Sequence, residues 1–409
     1  MYPMNANTLQ LALFGDVPAF EKPLHTNQPY SAAPQQFFNH VEQCFDRGWF
    51  TNDGPLVREL ESRISRFLGV EHCVAVTNAT LGLQLLMNAL ELRGEVIVPS
   101  FTFVATPHAV CNSGLHPVFC DIDPDSWNMD PGHCASLINE KTSAILSVHL
   151  FGRPCDTHRL QEIAQDHNLK LIYDAAHAFA CSHTNKKIGG FGDAEVFSFH
   201  ANKFFHTIEG GAITTNDGEL AQRLRLDRNF GFVGIDNVES LGTNAKMSEV
   251  HAAMGLSNLD LLDDTLGRCR DVYQSYADGL RDIPGVTIRN YDAQGDSWNY
   301  QYVVAEIDEQ LNGIPRDLMV DILCAENVIA RRYFYPGCHR MAAYAAPRFQ
   351  RCLPITEKVA DRVIVLPGGA AMNAQSAREI CSLIQYTVDH AAPILERVSK
   401  IDGAWRVTT

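Results

Sequence analysis

The sequence predicts an α/β protein: a mostly parallel sheet covered by helices on both faces, with a smaller α+β section towards the C-terminus. Two observations carry this. From about residue 70, short β-rich runs alternate with helical ones, the pattern of parallel strands joined by right-handed crossovers. After about residue 282 the pattern changes, and 409 residues are enough for two domains. In order, His72–Val76 reads as a strand, and a helix follows from Thr80 with Leu81, Leu85, Leu86 and Ala89 on its apolar side. Further strands are expected at 95–98, 118–122, 144–148, 169–173, 195–199 and 211–215. Helices are expected at 246–262 and 265–282. Pro284-Gly285-Val286-Thr287-Ile288 opens the second section, with strands near 302–307 and 328–331. The expected division is an N-terminal arm over 1–50, a large α/β domain over 51–270 and a small α+β domain over 271–409.

Hydrophobic residues make up 46% and charged residues 20%, which fits a globular chain with a substantial core. A net charge of -15 would repel a phosphate backbone, so no nucleic-acid partner is expected. A small anionic ligand stays open, because a local basic cluster suffices. Met1-Tyr2-Pro3-Met4-Asn5-Ala6-Asn7 has no basic region followed by an apolar run, so no secretory leader is expected. No apolar stretch is long enough to cross a bilayer, so no membrane partner is expected either. The 12 cysteines are scattered without a C-x-x-C pair, and the 16 histidines show no H-E-x-x-H spacing. Reduced thiols in a cytoplasmic protein are expected, with neither disulfides nor a metal site.

One window stands out: Phe197-Ser198-Phe199-His200-Ala201-Asn202-Lys203-Phe204-Phe205-His206-Thr207-Ile208-Glu209-Gly210-Gly211. It sets a lysine among aromatic residues, after a strand and before a Glu-Gly-Gly turn. Kept from water, such a lysine loses part of its preference for the charged form, and its neutral amine can attack an aldehyde. Asp174 ends the run Leu171-Ile172-Tyr173-Asp174 at the carboxyl end of a buried-looking strand, where ligands of open α/β sheets sit. A lysine for an aldehyde and a carboxylate for a ring nitrogen are the two groups that pyridoxal 5'-phosphate needs. Asp174 read alone serves equally as a helix cap. His177 can support the ring or merely pack. Thr77-Asn78-Ala79-Thr80 joins a strand to a helix, and a helix N-terminus suits a phosphate, with an ordinary N-cap as the plainer reading. Phe101 or Phe103 can stack on a pyridine ring or lie in the core. Ser198 can donate to the phosphate or bond to backbone. No G-x-G-x-x-G follows a strand, which leaves a dinucleotide-binding reading with little support.

Taken together the chain resembles the sugar aminotransferases of the DegT/DnrJ family, pyridoxal phosphate enzymes with the type I, aspartate aminotransferase-like fold. The resemblance runs over residues 11–367 and is densest over 51–255. Its motifs are Thr51-Asn52-Asp53-Gly54-Pro55, Pro99-Ser100-Phe101-Thr102-Phe103-Val104-Ala105-Thr106, Tyr173-Asp174-Ala175-Ala176-His177, the Lys203 window, and Gly242-Thr243-Asn244-Ala245-Lys246-Met247-Ser248-Glu249. The resemblance implies that Lys203 forms the Schiff base and moves the proton, and that Asp174 binds the pyridine nitrogen. It gives His177 a position where many relatives carry glutamine and Phe103 the ring-stacking position. Ala79, Thr80 and Ser198 take phosphate-binding positions. Asn244 takes the position that reaches into the partner's site, which implies a homodimer with shared active sites. Three departures stand out. Asn78-Ala79-Thr80 replaces Ser-Gly-Thr, Asn202 stands where threonine is common, and Lys246 stands where many relatives carry an arginine that could grip a carboxylate.

Ser-Phe-His-Ala-x-Lys with Glu-Gly-Gly, together with Leu13-Phe14-Gly15 and Pro23-Leu24-His25, is similar to the branch that aminates C4 of dTDP-4-keto-6-deoxyglucose. The implied reaction moves an amino group from L-glutamate to that nucleotide sugar. The alternatives are a 3-keto sugar, a cyclitol or polyketide ketone, and a non-catalytic binding protein of the same fold. Lys203 itself disfavours the dehydratase branch, which carries histidine there. Basic residues must meet the diphosphate, and Arg331, Arg332, His339 and Arg340 are the candidates, with Lys246 a candidate for the amino donor.

Overall fold

The computed structural model describes residues 9–31, 33–290 and 296–400. The leader reading at residues 1–7 and the last stretch of the expected small domain, 401–409, lie outside the described residues. In chain order the first elements are β1 (Leu24–His25), α1 (Pro34–Arg47), α2 (Pro55–Leu68), β2 (His72–Val76), α3 (Ala79–Ala89), β3 (Glu95–Pro99), α4 (Ala105–Asn112), β4 (His116–Cys120), α5 (Pro131–Leu137), β5 (Thr142–Val148), α6 (Thr157–Asp166) and β6 (Lys170–Asp174). A hairpin β7–β8 (Ser182–His183, Lys186–Lys187) precedes β9 (Ala194–Ser198), β10 (Gly211–Thr215) and α7 (Gly218–Asp227). A second hairpin, β11–β12 (Phe232–Val233, Asn237–Val238), leads to α8 (Glu249–Asp260) and α9 (Leu262–Leu280). The rest is β13 (Val286–Ile288), β14 (Val303–Ile307), α10 (Glu309–Asn312), α11 (Arg316–Ala325), β15 (Val328–Ile329), α12 (Pro354–Arg362), β16 (Val363–Leu366), α13 (Ala374–Asp389) and α14 (Ala391–Ser399).

The central sheet has seven strands in the order β2-β10-β9-β6-β5-β3-β4. Only β10 runs against its neighbours, β2 and β9; the other pairings are parallel. Alternate side chains go to opposite faces of a strand, and here both faces are apolar. Val74, Val76, Val98, Leu146, Ile172, Val196 and Ile213 pack on one side. Ala75, Phe197 and Ala212 pack on the other side, beside α2 and α8, as do Ile97, Ile145, Leu171 and Tyr173 beside α5 and α6. A strand buried on both faces reads as a near-continuous apolar run, which is why these strands are visible in the sequence.

Several bounds differ from expectation. The strand expected at 118–122 lies two residues earlier, because Glu95 pairs with His116 and Pro99 with Cys120, so β3 and β4 end together. The helix expected from 246 starts at Glu249. Lys246 is held extended by a bridge to Val76, and Ser248 caps the helix by accepting from His251 N. The strand near 328–331 shortens to Val328–Ile329, which pairs with β1, while Arg331 bridges to Val365.

The C-terminal part holds an antiparallel sheet, β13-β14-β16, over its own core. Residue 270, the expected boundary, falls inside α9. The first half of that helix packs through Leu262 and Cys269 on the core of the large sheet. The second half packs through Val272, Tyr273, Tyr276 and Leu280 on the C-terminal core. The segment over 1–50 is not one arm. Leu11 and Leu13 sit in the C-terminal core, β1 pairs with β15, and the Glu326 carboxylate accepts from Ala12 N and Ala19 N at 2.7 Å each. α1 instead lies against α8. Among the described residues no helix is long and apolar enough to cross a membrane, and no His, Cys, Asp or Glu group could hold a metal ion.

Candidate active site

One edge of the large sheet gathers the chemistry. β2, β3, β6 and β9 all end there, and β10 starts there, Gly211 lying opposite both Val76 and Ser198. The carboxyl edge of an open α/β sheet is where its ligands bind, because helix N-termini and loops converge there. A cavity of about 600 Å³ opens at this edge. Ala79, Thr80, Phe103, Asp174, His177, Ser198 and Lys203 all line it.

One end of the cavity is built by β2 leading into α3. Asn78 caps that helix, its side chain accepting from Leu81 N at 2.8 Å, the ordinary N-cap of the plainer reading. The first turn of a helix carries N–H groups without intrahelical partners, and Ala79 and Thr80 of that turn line the cavity. Gly211 lets β10 pass close beneath: a Cβ there would meet Phe197 O at 2.7 Å, Ala79 N at 2.9 Å and Asn78 C at 3.1 Å.

Asp174 is the last residue of β6 and is buried. Its Oδ2 accepts from Thr106 Oγ1 at 2.7 Å and its Oδ1 from Ala176 N at 3.0 Å. Burial raises its pKa, and the Thr106 and Ala176 bonds hold it back. Lys203 follows β9 on a turn closed by its own N–H to His200 O at 2.8 Å. Phe204 and Phe205 anchor that turn against Phe179 and Phe199. Burial pulls the Lys203 amine down to about 8, and the Asp174 charge opposes this. Its Nζ donates to Tyr302 Oη at 3.1 Å. His177 Nδ1 accepts from Phe151 N at 3.1 Å, so that nitrogen carries no proton. Burial first, and then Lys203, push its pKa well below the ordinary histidine value. The two phenylalanines separate cleanly. Phe101 is 1% exposed and packs on Trp127 and Phe334, whereas Phe103 is 52% exposed at the cavity wall.

The other candidates lie elsewhere. Arg331 and Arg332 line a neighbouring recess of about 290 Å³ that shares Phe103, Tyr333 and Phe334 with the main cavity. His339 does not reach either space, a correction to its candidacy as a substrate group. It is buried, with Nδ1 at 2.7 Å from Ser100 Oγ and Nε2 at 3.2 Å from the Glu357 carboxylate. Arg340 is likewise engaged with Glu357. Asn244 and Lys246 lie outside this chain's cavity, Lys246 Nζ donating to Asn244 Oδ1 at 2.7 Å. Sequence reasoning missed Tyr302, Tyr333 and Phe334, which come from the C-terminal part, and the His200–Glu209 pair at 3.5 Å on the cavity wall.

The donor set fits pyridoxal phosphate. A helix start suits the phosphate, a buried carboxylate suits the ring nitrogen, an exposed phenyl face suits the ring, and an amine with lowered pKa suits the aldehyde. The DegT/DnrJ/EryC1/StrS aminotransferase family matches residues 32–385. The dTDP-4-amino-4,6-dideoxy-D-glucose transaminase of Shigella dysenteriae is 38% identical over 375 residues, 89% of this chain and 99% of that protein. The Escherichia coli protein of the same name is 35% identical, covering 89% of this chain and 98% of its own length. Among solved structures, DesI in the presence of its TDP-sugar product superposes with a TM-score of 0.91 at 44% identity, covering 95% of this chain and 99% of that one. PseC of Helicobacter pylori, an aminotransferase of pseudoaminic acid biosynthesis, gives 0.84 at 28% identity, over 90% of this chain and all of that one. A family match across most of the chain, and relatives above 30% identity along nearly their whole length, make this chain a member of the DegT/DnrJ/EryC1/StrS aminotransferase family.

Proposed function

We propose that this pyridoxal phosphate-dependent sugar aminotransferase moves the amino group of L-glutamate to C4 of dTDP-4-keto-6-deoxy-D-glucose, giving dTDP-4-amino-4,6-dideoxy-D-glucose. The observation that carries the reading is one cavity holding both the Lys203 amine and the Asp174 carboxylate, in a chain whose full-length relatives are named for that sugar. Bound pyridoxal phosphate supplies an aldehyde for imine exchange and a ring that takes up the electrons released when a C–H bond breaks. Asp174 supplies the negative charge that keeps the ring nitrogen protonated, and the Thr106 and Ala176 bonds fix its two oxygens. Lys203 Nζ, with a pKa of about 8, is partly neutral near neutral pH. It therefore accepts the α-proton of the amino donor, and in the second half-reaction it delivers a proton to the sugar carbon that receives nitrogen. Ala79 N–H, Thr80 and Ser198 would hold the phosphate, Phe103 would cover the ring, and His177 would support the ring. Arg331 and Arg332 meet the diphosphate of the sugar nucleotide.

The protein works as a homodimer in which Asn244 and Lys246 complete the partner's site. Supporting this, the hairpin just before them exposes Phe230, Phe232, Val233, Ile235, Val238 and Leu241. An exposed apolar patch of that kind marks an interface. A cytoplasmic setting is part of this reading, in line with cysteines scattered along the sequence without a C-x-x-C pair.

The test is the visible spectrum of the loaded protein before and after L-glutamate, for wild type and Lys203→Ala, followed by the keto sugar and NMR of the product. A cofactor band that bleaches with glutamate, returns with dTDP-4-keto-6-deoxy-D-glucose and is absent in the alanine variant supports the reading. A band that returns only with a 3-keto sugar nucleotide would move the reaction to the 3-keto class. A band that persists in Lys203→Ala would remove Lys203 from its role.

A further inference from the structure

The segment over 299–302 carries no motif, yet it binds two active-site loops, two bonds going to the loop after β6 and three to the Lys203 loop after β9. Asn299 Nδ2 donates to His177 O at 2.7 Å and to Phe179 O at 3.1 Å. Asn299 Oδ1 accepts from Gln301 N at 3.2 Å, which locks the segment on itself. Gln301 then grips the backbone on both sides of Lys203: its Nε2 donates to Asn202 O at 3.2 Å and its Oε1 accepts from Phe204 N at 3.3 Å. Tyr302 takes the amine itself, accepting from Lys203 Nζ at 3.1 Å. Its ring is held against His177 at 4.7 Å and Phe151 at 5.3 Å. All three side chains are buried, at 1%, 2% and 3% exposure. Tyr300 between them has φ of 51°, a left-handed conformation that a bulky residue adopts only when its surroundings impose it.

We infer that Gln301 and Tyr302 are positioning residues for Lys203: Gln301 fixes the lysine's backbone and Tyr302 fixes its amine. The deepest need for this comes when the lysine is free. A four-carbon side chain with several rotamers would otherwise wander from the carbon whose proton it must move, and misplacement by an ångström costs orders of magnitude in rate. The two residues lie just before β14, the central strand of the C-terminal sheet, while Lys203 follows β9 of the large sheet. The C-terminal part thus sets the position of the lysine directly. The phenol oxygen also accepts from the amine, and an acceptor favours the protonated form. Tyr302 therefore works with Asp174 against burial, and its loss lets the amine's pKa fall further.

This inference rests on the reading that Lys203 moves the proton, but its first test needs no cofactor. Full-length protein stripped of cofactor is labelled with trinitrobenzenesulfonate across a pH series, and modification of Lys203 is read from its peptide by mass spectrometry. In Tyr302→Phe, which keeps the ring packing, the pH midpoint falls by about one unit. Labelling at a fixed pH below the midpoint is then roughly tenfold faster. An unchanged or raised midpoint in a protein with wild-type circular dichroism overturns the role of Tyr302. Gln301→Ala tests the backbone clamp independently, in the loaded protein. The kcat of the glutamate half-reaction falls about tenfold while KM for glutamate stays within about twofold, as expected when orientation and not binding is lost. An unchanged kcat overturns the clamp. Failure of either test leaves the amination reading standing, because that reading is judged by the spectrum of Lys203→Ala.

Discussion

Replacing Lys203 by methionine is expected to make the cofactor-free protein more stable at neutral pH. Burial takes the amine from its ordinary 10.5 to about 8. At about 1.4 kcal/mol per pH unit, that is a penalty of about 3 kcal/mol for holding a charged amine in the fold. The sign follows from proton binding. Below pH 8 the amine is protonated in both folded and unfolded chains, and the whole penalty is present. Between about 8 and 10.5 the folded state sheds the proton while the unfolded state keeps it, so stability rises with pH. Above 10.5 the penalty is gone. Methionine has nearly the same shape and carries no such charge. The cavity leaves Lys203 partly open, and its bond to Tyr302 is lost in the variant, worth about 1 kcal/mol. Together these bring the expected gain to about 2 kcal/mol at pH 7. Urea unfolding of the cofactor-free proteins, followed by fluorescence at several pH values, measures it. The gain is expected to shrink steadily between about pH 8 and pH 10. Titrating groups remote from Lys203 are common to both proteins and cancel in the difference, whereas Asp174 and His177 feel its charge and do not. A gain that stays flat with pH, or a loss at neutral pH, would refute the argument that burial depresses this amine.

Thr106→Val removes a donor to Asp174 Oδ2 and so removes support for the anion. The carboxyl, already raised by burial, rises further, and the acid limb of the glutamate half-reaction moves up by about one pH unit while the basic limb stays. Arg331→Ala is expected to raise KM for the sugar nucleotide about tenfold without changing the glutamate half-reaction; equal effects on both halves would place Arg331 outside the nucleotide's path. Gly211→Ala drives a Cβ against three backbone atoms, among them Ala79 N. It is expected to cost about 1–3 kcal/mol in thermal or urea unfolding and to weaken pyridoxal phosphate binding in a fluorescence titration.

Much of the large sheet could be read from the chain, because strands such as Val96-Ile97-Val98 and Ala144-Ile145-Leu146 are apolar on both faces and bounded by turns. Asp174 and Ser198 could be found because each is the last residue of such a strand. Phe101 and Phe103 sit two residues apart in one loop and their residue type alone does not separate them; the resemblance points to Phe103, and the packing of Phe101 on Trp127 gives the physical reason. His339 was a candidate only as a basic residue for the diphosphate, and residue type alone does not reveal that its ring is committed to Ser100 and Glu357. Gln301 and Tyr302 were invisible for a different reason. Their partners lie about a hundred residues away, and an Asn-Tyr-Gln-Tyr run has no period or spacing that announces a ligand.

The pairing of the first described residues with the C-terminal core has a consequence for how the chain is made. Leu11, Leu13 and β1 leave the ribosome well before their partners, Glu326, Asn327 and β15. About three hundred residues separate the two, and at translation speeds of about 5–20 residues per second the wait is on the order of tens of seconds. During that time the large sheet, β2 to β10, can complete itself from sequence already in hand. The Leu11–His25 segment therefore waits for sequence far downstream of it, and ribosome-bound chains that stop short of β15 leave its leucines uncovered.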